Sequence, residues 1–163
     1  VTFTSGPNTS TANFPAANQV IVVGRDNDDT IFVSSSLNVN TYIDGGEGND
    51  TVTASSGNDT ITGGSGDDVI NAGNGNNVID ISVGNDTAID GNGNSTFKVF
   101  GFSDKTITDL GGIDTIDFTG LYSSTLVDEG VTLDLSIVDG TRQEVRSDGS
   151  IAITGAIENA YGS

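Results

Sequence analysis

The chain has 163 residues and carries 23 Asp+Glu against 5 Lys+Arg, a formal net charge of −18, with no Cys, Met, His or Trp. The missing Cys and His exclude disulfides, thiolate and imidazole metal sites, the commonest general base and the H-E-x-x-H protease helix. The acidity argues against nucleic acid and anionic membrane, which need basic patches, and no apolar run reaches the length of a membrane span.

Residues 1–23 are rich in Thr, Asn and Ser, hold both prolines (Pro7 and Pro15) and end in the apolar run Val20–Val23. They read as a linker followed by a strand that caps the open end of what comes next. The chain opens on Val1 without a basic and apolar leader segment, and is expected to be a piece cut from something longer, with Ser163 as another boundary.

Residues 24–98 are a repeat array. Its best part is Gly45–Asn71, where GGEGNDTVT, ASSGNDTIT and GGSGDDVIN follow one another in a nine-residue register. Numbered one to nine, the unit is Gly-Gly-x-Gly-x-Asp-x-apolar-x, with Asp50, Asp59 and Asp68 at position six and Val52, Ile61 and Ile70 at position eight. AGNGNNVID, ISVGNDTAI and DGNGNSTFK (72–98) continue in frame, keep glycine at position four, and place Asn77, Asp86 and Ser95 at position six. Upstream, residues 36–44 keep only the apolar Ile43, and GRDNDDTIF (24–32) recovers Asp29 and Ile31 across the insertion Val33–Ser35.

Each part of the unit has a physical reason. Glycine suits a turn that needs positive φ or a close approach of backbone to an ion. A curved row of carbonyls with one carboxylate is a cage for a hard cation, and with oxygen the only ligand type present the choice falls on calcium, since magnesium wants octahedral geometry and keeps its waters. In the strand that follows, the middle side chain points to one face, so one residue per nine is expected to face inward. Two units run in opposite directions and close one turn of a flattened coil, which stacks loops eighteen residues apart. One column then reads Asp29, Asp50, Asp68, Asp86, and the other Thr41, Asp59, Asn77, Ser95. Cations between stacked loops give two well-formed sites in the first column and a weaker one in the second. A further site between the Asp29 and Asp50 loops depends on how the insertion is absorbed. So few apolar side chains per turn set against the ordering of every residue lead to the expectation that folding and cation binding are one equilibrium.

Residues 99–163 lose the nine-residue period and are expected to form strands at Thr106–Leu110, Thr115–Phe118, Val131–Ile137 and Ile151–Ile153, separated by Gly/Asp/Ser turns. They read as a cover for the open end of the coil, because repeat arrays need atypical terminal units.

The nonapeptide is identified as the RTX (hemolysin-type) calcium-binding repeat. TITDLGGIDTIDFTG (106–120), VTLDLS (131–136) and SIAITGAIENAYGS (150–163) resemble the C-terminal region of serralysin-type secreted proteins. The resemblance runs from Gly24 onward. It implies an all-β fold: a parallel β-roll, that is a right-handed β-solenoid with calcium in its turns, and a C-terminal β-sandwich-like cap. The division expected is 1–23 linker and capping strand, 24–98 roll, 99–163 cap. It further implies a calcium-binding module of a larger bacterial exoprotein, exported by a type I system and folding outside the cell.

The ligands that the resemblance carries over are the carboxylates of Asp50, Asp59, Asp68 and Asp86, with carbonyls at positions one and three such as Gly45, Glu47, Gly63, Ser65 and Ser56. Asn77 departs from the pattern but keeps its place in the set. For Asp26, Asp28 and Asp29 a ligand role and a solvated acidic turn are both open, and Asp114 and Asp117 are candidates for another ion or for turn and strand-edge roles. Three to five calcium ions are expected, with the remainder of the parent protein as partner, a monomeric state, and no catalytic residue. The alternatives are a surface adhesion module for carbohydrate or ice, and the non-catalytic half of a serralysin-like metalloprotease.

Overall fold

The computed structural model describes residues 2–5, 8–11, 19–101, 103–119, 139–146 and 149–161. Among these there are strands and turns but no helix. In chain order, β1 (Thr2–Ser5) and β2 (Asn8–Thr11) precede β3 (Gln19–Asp26), β4 (Asp29–Phe32) and β5 (Asn40–Glu47). The array continues with β6 (Thr51–Thr53), β7 (Thr60–Ser65), β8 (Val69–Gly73), β9 (Val78–Asp80), β10 (Thr87–Asp90) and β11 (Thr96–Lys98). Beyond it follow β12 (Lys105–Thr108), β13 (Thr115–Asp117), β14 (Asp139–Arg146), β15 (Gly149–Thr154) and β16 (Asn159–Tyr161).

Successive repeats land in opposite sheets, as a flattened coil requires. A nine-stranded sheet runs β14-β15-β12-β10-β8-β6-β4-β1-β2 and a seven-stranded sheet runs β16-β13-β11-β9-β7-β5-β3. All pairs within the coil are parallel; the antiparallel pairs are β1 with β2, β1 with β4, and β14 with β15. These antiparallel strands lie at the two ends of the nine-stranded sheet, where an open edge would otherwise offer unpaired backbone to another chain.

The register follows position eight. Ile31, Val52, Ile70 and Ala88 stack in one sheet, then Ile107 and Ile153, while Ile43, Ile61, Ile79, Phe97 and Ile116 stack in the other. All are buried in one cluster. The insertion leaves this register intact: it is taken up between β4 and β5, where Val33 turns inward and Leu37 N–H donates to the Ser34 carbonyl (3.0 Å), so Ile31 still faces Val52.

The interior is fuller than one residue per nine. Position one also points inward wherever it is apolar, so Ala54, Ala72, Ile81 and Val99 join the core. The turn from Ala72 to Ile89 buries Ala72, Ile79, Ile81 and Ala88. The reason is geometric: the chain turns its corner after position nine, and the next side chain closes the end of the flattened cavity.

The coil also runs past Lys98. After a stretch of ten residues (99–108), DLGGIDTID (109–117) re-enters the nine-residue register. β12 pairs parallel with β10, β13 with β11, β15 with β12 and β16 with β13. The expected boundary between Lys98 and Val99 therefore lies inside the stack. Of the strands expected there, those near Thr106, Thr115 and Ile151 are present as β12, β13 and β15. Val131–Ile137, Pro7 and Pro15 lie outside the described residues.

Candidate metal centre

The loops between strands carry the polar chemistry. At position two Gly46 has φ +112° and Gly64 +114°, and at position four Gly48 has +128° and Gly66 +124°. L-residues enter this region only at a steric cost. The first loop adopts the same path without glycine: Arg25 and Asn27 stand at positions two and four with φ 90° and 76°.

Two ladders tie each loop to the one below it. At position six the backbone N–H of one loop donates to the side chain of the next loop in its column. In the first column Asp29 N donates to Asp50 Oδ1 (2.7 Å), Asp50 N to Asp68 Oδ1 (2.8 Å) and Asp68 N to Asp86 Oδ1 (3.0 Å). In the second, Thr41 N donates to Asp59 Oδ1 (2.6 Å), Asp59 N to Asn77 Oδ1 (2.9 Å), Asn77 N to Ser95 Oγ (3.0 Å) and Ser95 N to Asp114 Oδ1 (2.7 Å). Asp114 N then donates to Glu158 Oε2 (2.7 Å). Both columns read from the sequence are thus present, and the second runs on to Asp114.

Position five forms a ladder of opposite sense that sequence reasoning missed. Asn49 N donates to Asp28 Oδ1, Asp67 N to Asn49 Oδ1 and Asn85 N to Asp67 Oδ1 (2.8 Å each), and Asn58, Asn76 and Asn94 do the same in the other column. The signal was available as Asn or Asp at position five of nearly every copy.

The position-six carboxylates have a second oxygen, and at three places in the first column it is left over. Asp29, Asp50 and Asp68 are each 1% exposed, and Oδ2 of all three is buried without a hydrogen-bond partner. A buried polar atom without a partner costs free energy, which a ligand or ion accepted there would offset. Each faces a notch made by position one. A Cβ on Gly45 would collide with Asp50 Oδ2 and the Gly63 carbonyl, and one on Gly63 with Asp68 Oδ2. Gly24 holds the same relation to Asp29 Oδ2 and the Gly45 carbonyl. A carboxylate oxygen, a glycine carbonyl of the next loop and an empty Cβ position form an all-oxygen cradle of the kind a hard cation takes.

The electrostatics agree. Burial pushes the carboxyls of Asp50, Asp59 and Asp86 up, and that of Asp68 to about 7, with Asp86 and Asp50 raising it further by repulsion. Stacked strands are about 4.8 Å apart, so this row of like charges is unfavourable unless neutralised.

The row ends in a cation of the protein's own. Lys105 stands at the position-six place of its loop, 1% exposed, and its Nζ lies 3.0 Å from Asp86 Oδ2. It also contacts the Gly84 carbonyl, and Ser103 Oγ at 2.9 Å. Asp86 Oδ2 is thereby satisfied where those of Asp50 and Asp68 are not.

The second column is built differently. Ser55 takes the place of a glycine, and its hydroxyl lies 3.4 Å from both oxygens of Asp59 while donating to the Val39 carbonyl (2.5 Å). Asn77 turns Nδ2, a donor, towards Asp90 Oδ1 (2.9 Å) and the Gly73 carbonyl (3.4 Å). Ser56 Oγ donates to the Ser35 carbonyl (2.6 Å). At position three, Asp26, Glu47 and Ser65 stack in register with exposed side chains, and the Ser65 carbonyl accepts from Gly48 N–H (2.9 Å) with one lone pair to spare.

Asp117 is not gathered with Asp114. Its carboxylate accepts from Thr119 N–H (2.9 Å), and its bonds to Thr119 hold its pKa down. The groups that do meet Asp114 are Asp90 and Asp109, neither of which was singled out from the sequence; oxygens of the three lie within 4.8 Å of one another. Both are aspartates at position one, where the unit calls for glycine.

This is a solenoid of parallel strands whose stacked loops present buried carboxylate and carbonyl oxygens. Residues 44–79 match the RTX calcium-binding nonapeptide repeat in four copies, and the chain thus contains an RTX repeat module. No curated protein matches the chain. The coil in which the match lies extends beyond it on both sides, through the loops of Asp29, Asp86 and Asp114.

Proposed function

We propose that the coil is a calcium-dependent folding module of a larger secreted bacterial protein, non-catalytic itself, that takes its ions between stacked loops and folds as it binds them. The observation that carries this reading is the row of buried, unpartnered Oδ2 atoms of Asp29, Asp50 and Asp68, each beside a position-one glycine. In it, Asp50 and Asp68 hold calcium with the position-one and position-three carbonyls, Asp29 holds a further ion, and Asp59 contributes a weaker site in the second column. Calcium supplies the positive charge that the stack lacks, at 23 Asp+Glu against 5 Lys+Arg. The matched repeat family supports export and an extracellular setting for this chain, where calcium is plentiful; export by a type I system and the support of a parent exoprotein complete the reading. The roll extends from Gly24 to Phe118, with the segments on either side acting as covers.

Circular dichroism of the protein in calcium and in excess chelator tests it. The β signal should be lost on chelation and return with calcium; the same spectrum in both conditions would refute the reading.

A further inference from the structure

We propose that Asp90, Asp109 and Asp114 form a cation site of a second kind, in which carboxylates at position one replace the glycine notch and hold a divalent ion of the calcium class between the loops Asp90–Ser95 and Asp109–Asp114. The proposal rests on the reading of the coil as a calcium binder and lies outside the matched residues 44–79.

The geometry repeats the logic of the first column with different donors. Asp90 and Asp114 are fully buried and Asp109 is 4% exposed. Each spends one oxygen on orientation: Asp90 Oδ1 accepts from Asn77 Nδ2 (2.9 Å), Asp109 Oδ1 from Gly111 N–H (3.3 Å) and Asp114 Oδ1 from Ser95 N–H (2.7 Å). Each is left with a buried Oδ2 that has no partner, the same division that Asp50 and Asp68 show. One oxygen from each of the three carboxylates lies within 4.8 Å of the other two. Among the described residues the ion pair found is Lys105 with Asp86, in the other column, so no side-chain cation neutralises the three.

The register explains why the carboxylates moved. Ser95 stands at position six of its loop, so that loop lacks the usual acid. Asp90, at position one of the same loop, restores it from the other end, and one turn on Asp109 stands at position one again, in a loop that also keeps its position-six acid, Asp114. A Cβ on Gly112 would crowd both the Gly93 carbonyl and Asp114 Oδ2, so the backbone beside the cluster is also kept clear. Three carboxylates exceed the single one at each glycine notch, and cation affinity rises with ligand charge. This site therefore fills at lower calcium than the others.

Calorimetric titration of the full chain with calcium tests the assignment. Asp109→Asn and Asp90→Asn are isosteric and keep the Oδ1 acceptor that orients each side chain. Each should bind one calcium fewer than the wild type, with the tightest step lost, and Asp68→Asn should lose a different, weaker step. Circular dichroism in saturating calcium verifies the fold, and if Asp109→Asn does not refold, Asp90→Asn reads the same site. Equal stoichiometry and affinity in wild type and either folded variant would overturn the proposal while leaving the rest of the coil's calcium binding standing. A wild type that takes up no calcium would remove the broader reading and this one with it.

Discussion

Lys105 Nζ and Asp86 Oδ2 are 3.0 Å apart with both side chains 1% exposed, so the last rung of the first column is closed by an ammonium where the rungs above present bare carboxylate oxygen. Removing one partner of a buried pair costs roughly 3–5 kcal/mol, because the other charge stays buried and uncompensated. Lys105→Ala should lose about that much stability at limiting calcium. Saturating calcium should recover a large part, as an ion enters the place the ammonium left. Urea unfolding at the two calcium levels measures both; a loss that calcium does not reduce would mean that the ammonium serves packing alone.

Gly45 and Gly46 are neighbours under different constraints. Gly46 has φ +112° and a Cβ on it would strike the backbone of Arg25 in the stacked loop, so it serves the backbone stack, whereas Gly45 is needed for the space beside Asp50 Oδ2 and the Gly63 carbonyl. Gly45→Ala should remove at least one calcium from the titration. Gly46→Ala should cost stability, by roughly 1 kcal/mol or more for the strained φ, at every calcium concentration. Calorimetry paired with thermal unfolding separates the two; identical profiles would show that position one is conformational as well.

The position-five ladder joins side-chain oxygens of one loop to backbone N–H groups of the next. Asn58 Oδ1 accepts from Asn76 N–H at 2.9 Å on an exposed edge, and such a bond contributes about 0.5–1.5 kcal/mol, towards the low end where water can replace it. Asn58→Ala should lower stability by about that amount and leave calcium stoichiometry unchanged. A change in the number of ions bound would place Asn58 in the cation chemistry instead.

The strict spacing of Asp50, Asp59 and Asp68 made the columns, the alternation between sheets and the inward row at position eight legible from residues alone, because a periodic coil converts sequence distance directly into spatial neighbours. What was not legible came from breaks in that period. One extra residue before Lys105 hid the return of the register at Asp109, and with it the place of Lys105 at position six as the first column's own cation. Aspartate at position one carries no signal of its own, because Asp90 and Asp109 meet only through stacking of loops nineteen residues apart. The second inward set, Ala54, Ala72 and Ile81, was missed because position one was assigned to the turn, and only the corner of the folded coil shows that it closes the core.

Acid should act in opposite directions on the protein with and without calcium. Burial raises the carboxyl of Asp68 from its ordinary 3.8 to about 7 and that of Asp114 to about 6. A group whose folded pKa is raised contributes stability that is fully present below the unfolded pKa and is lost as pH rises through the folded one. For Asp68 and Asp114 that window runs from about pH 4 to about pH 7. The chelated chain should therefore hold more β structure at about pH 4.5 than at about pH 7.5. In calcium the ion must displace those protons, so affinity should climb over the same window and level off above about pH 7. Circular dichroism and calcium titration across this range read the two trends, and Asp68→Asn should flatten the upper part of both. Parallel trends with and without calcium would mean that the buried carboxylates do not face the ion.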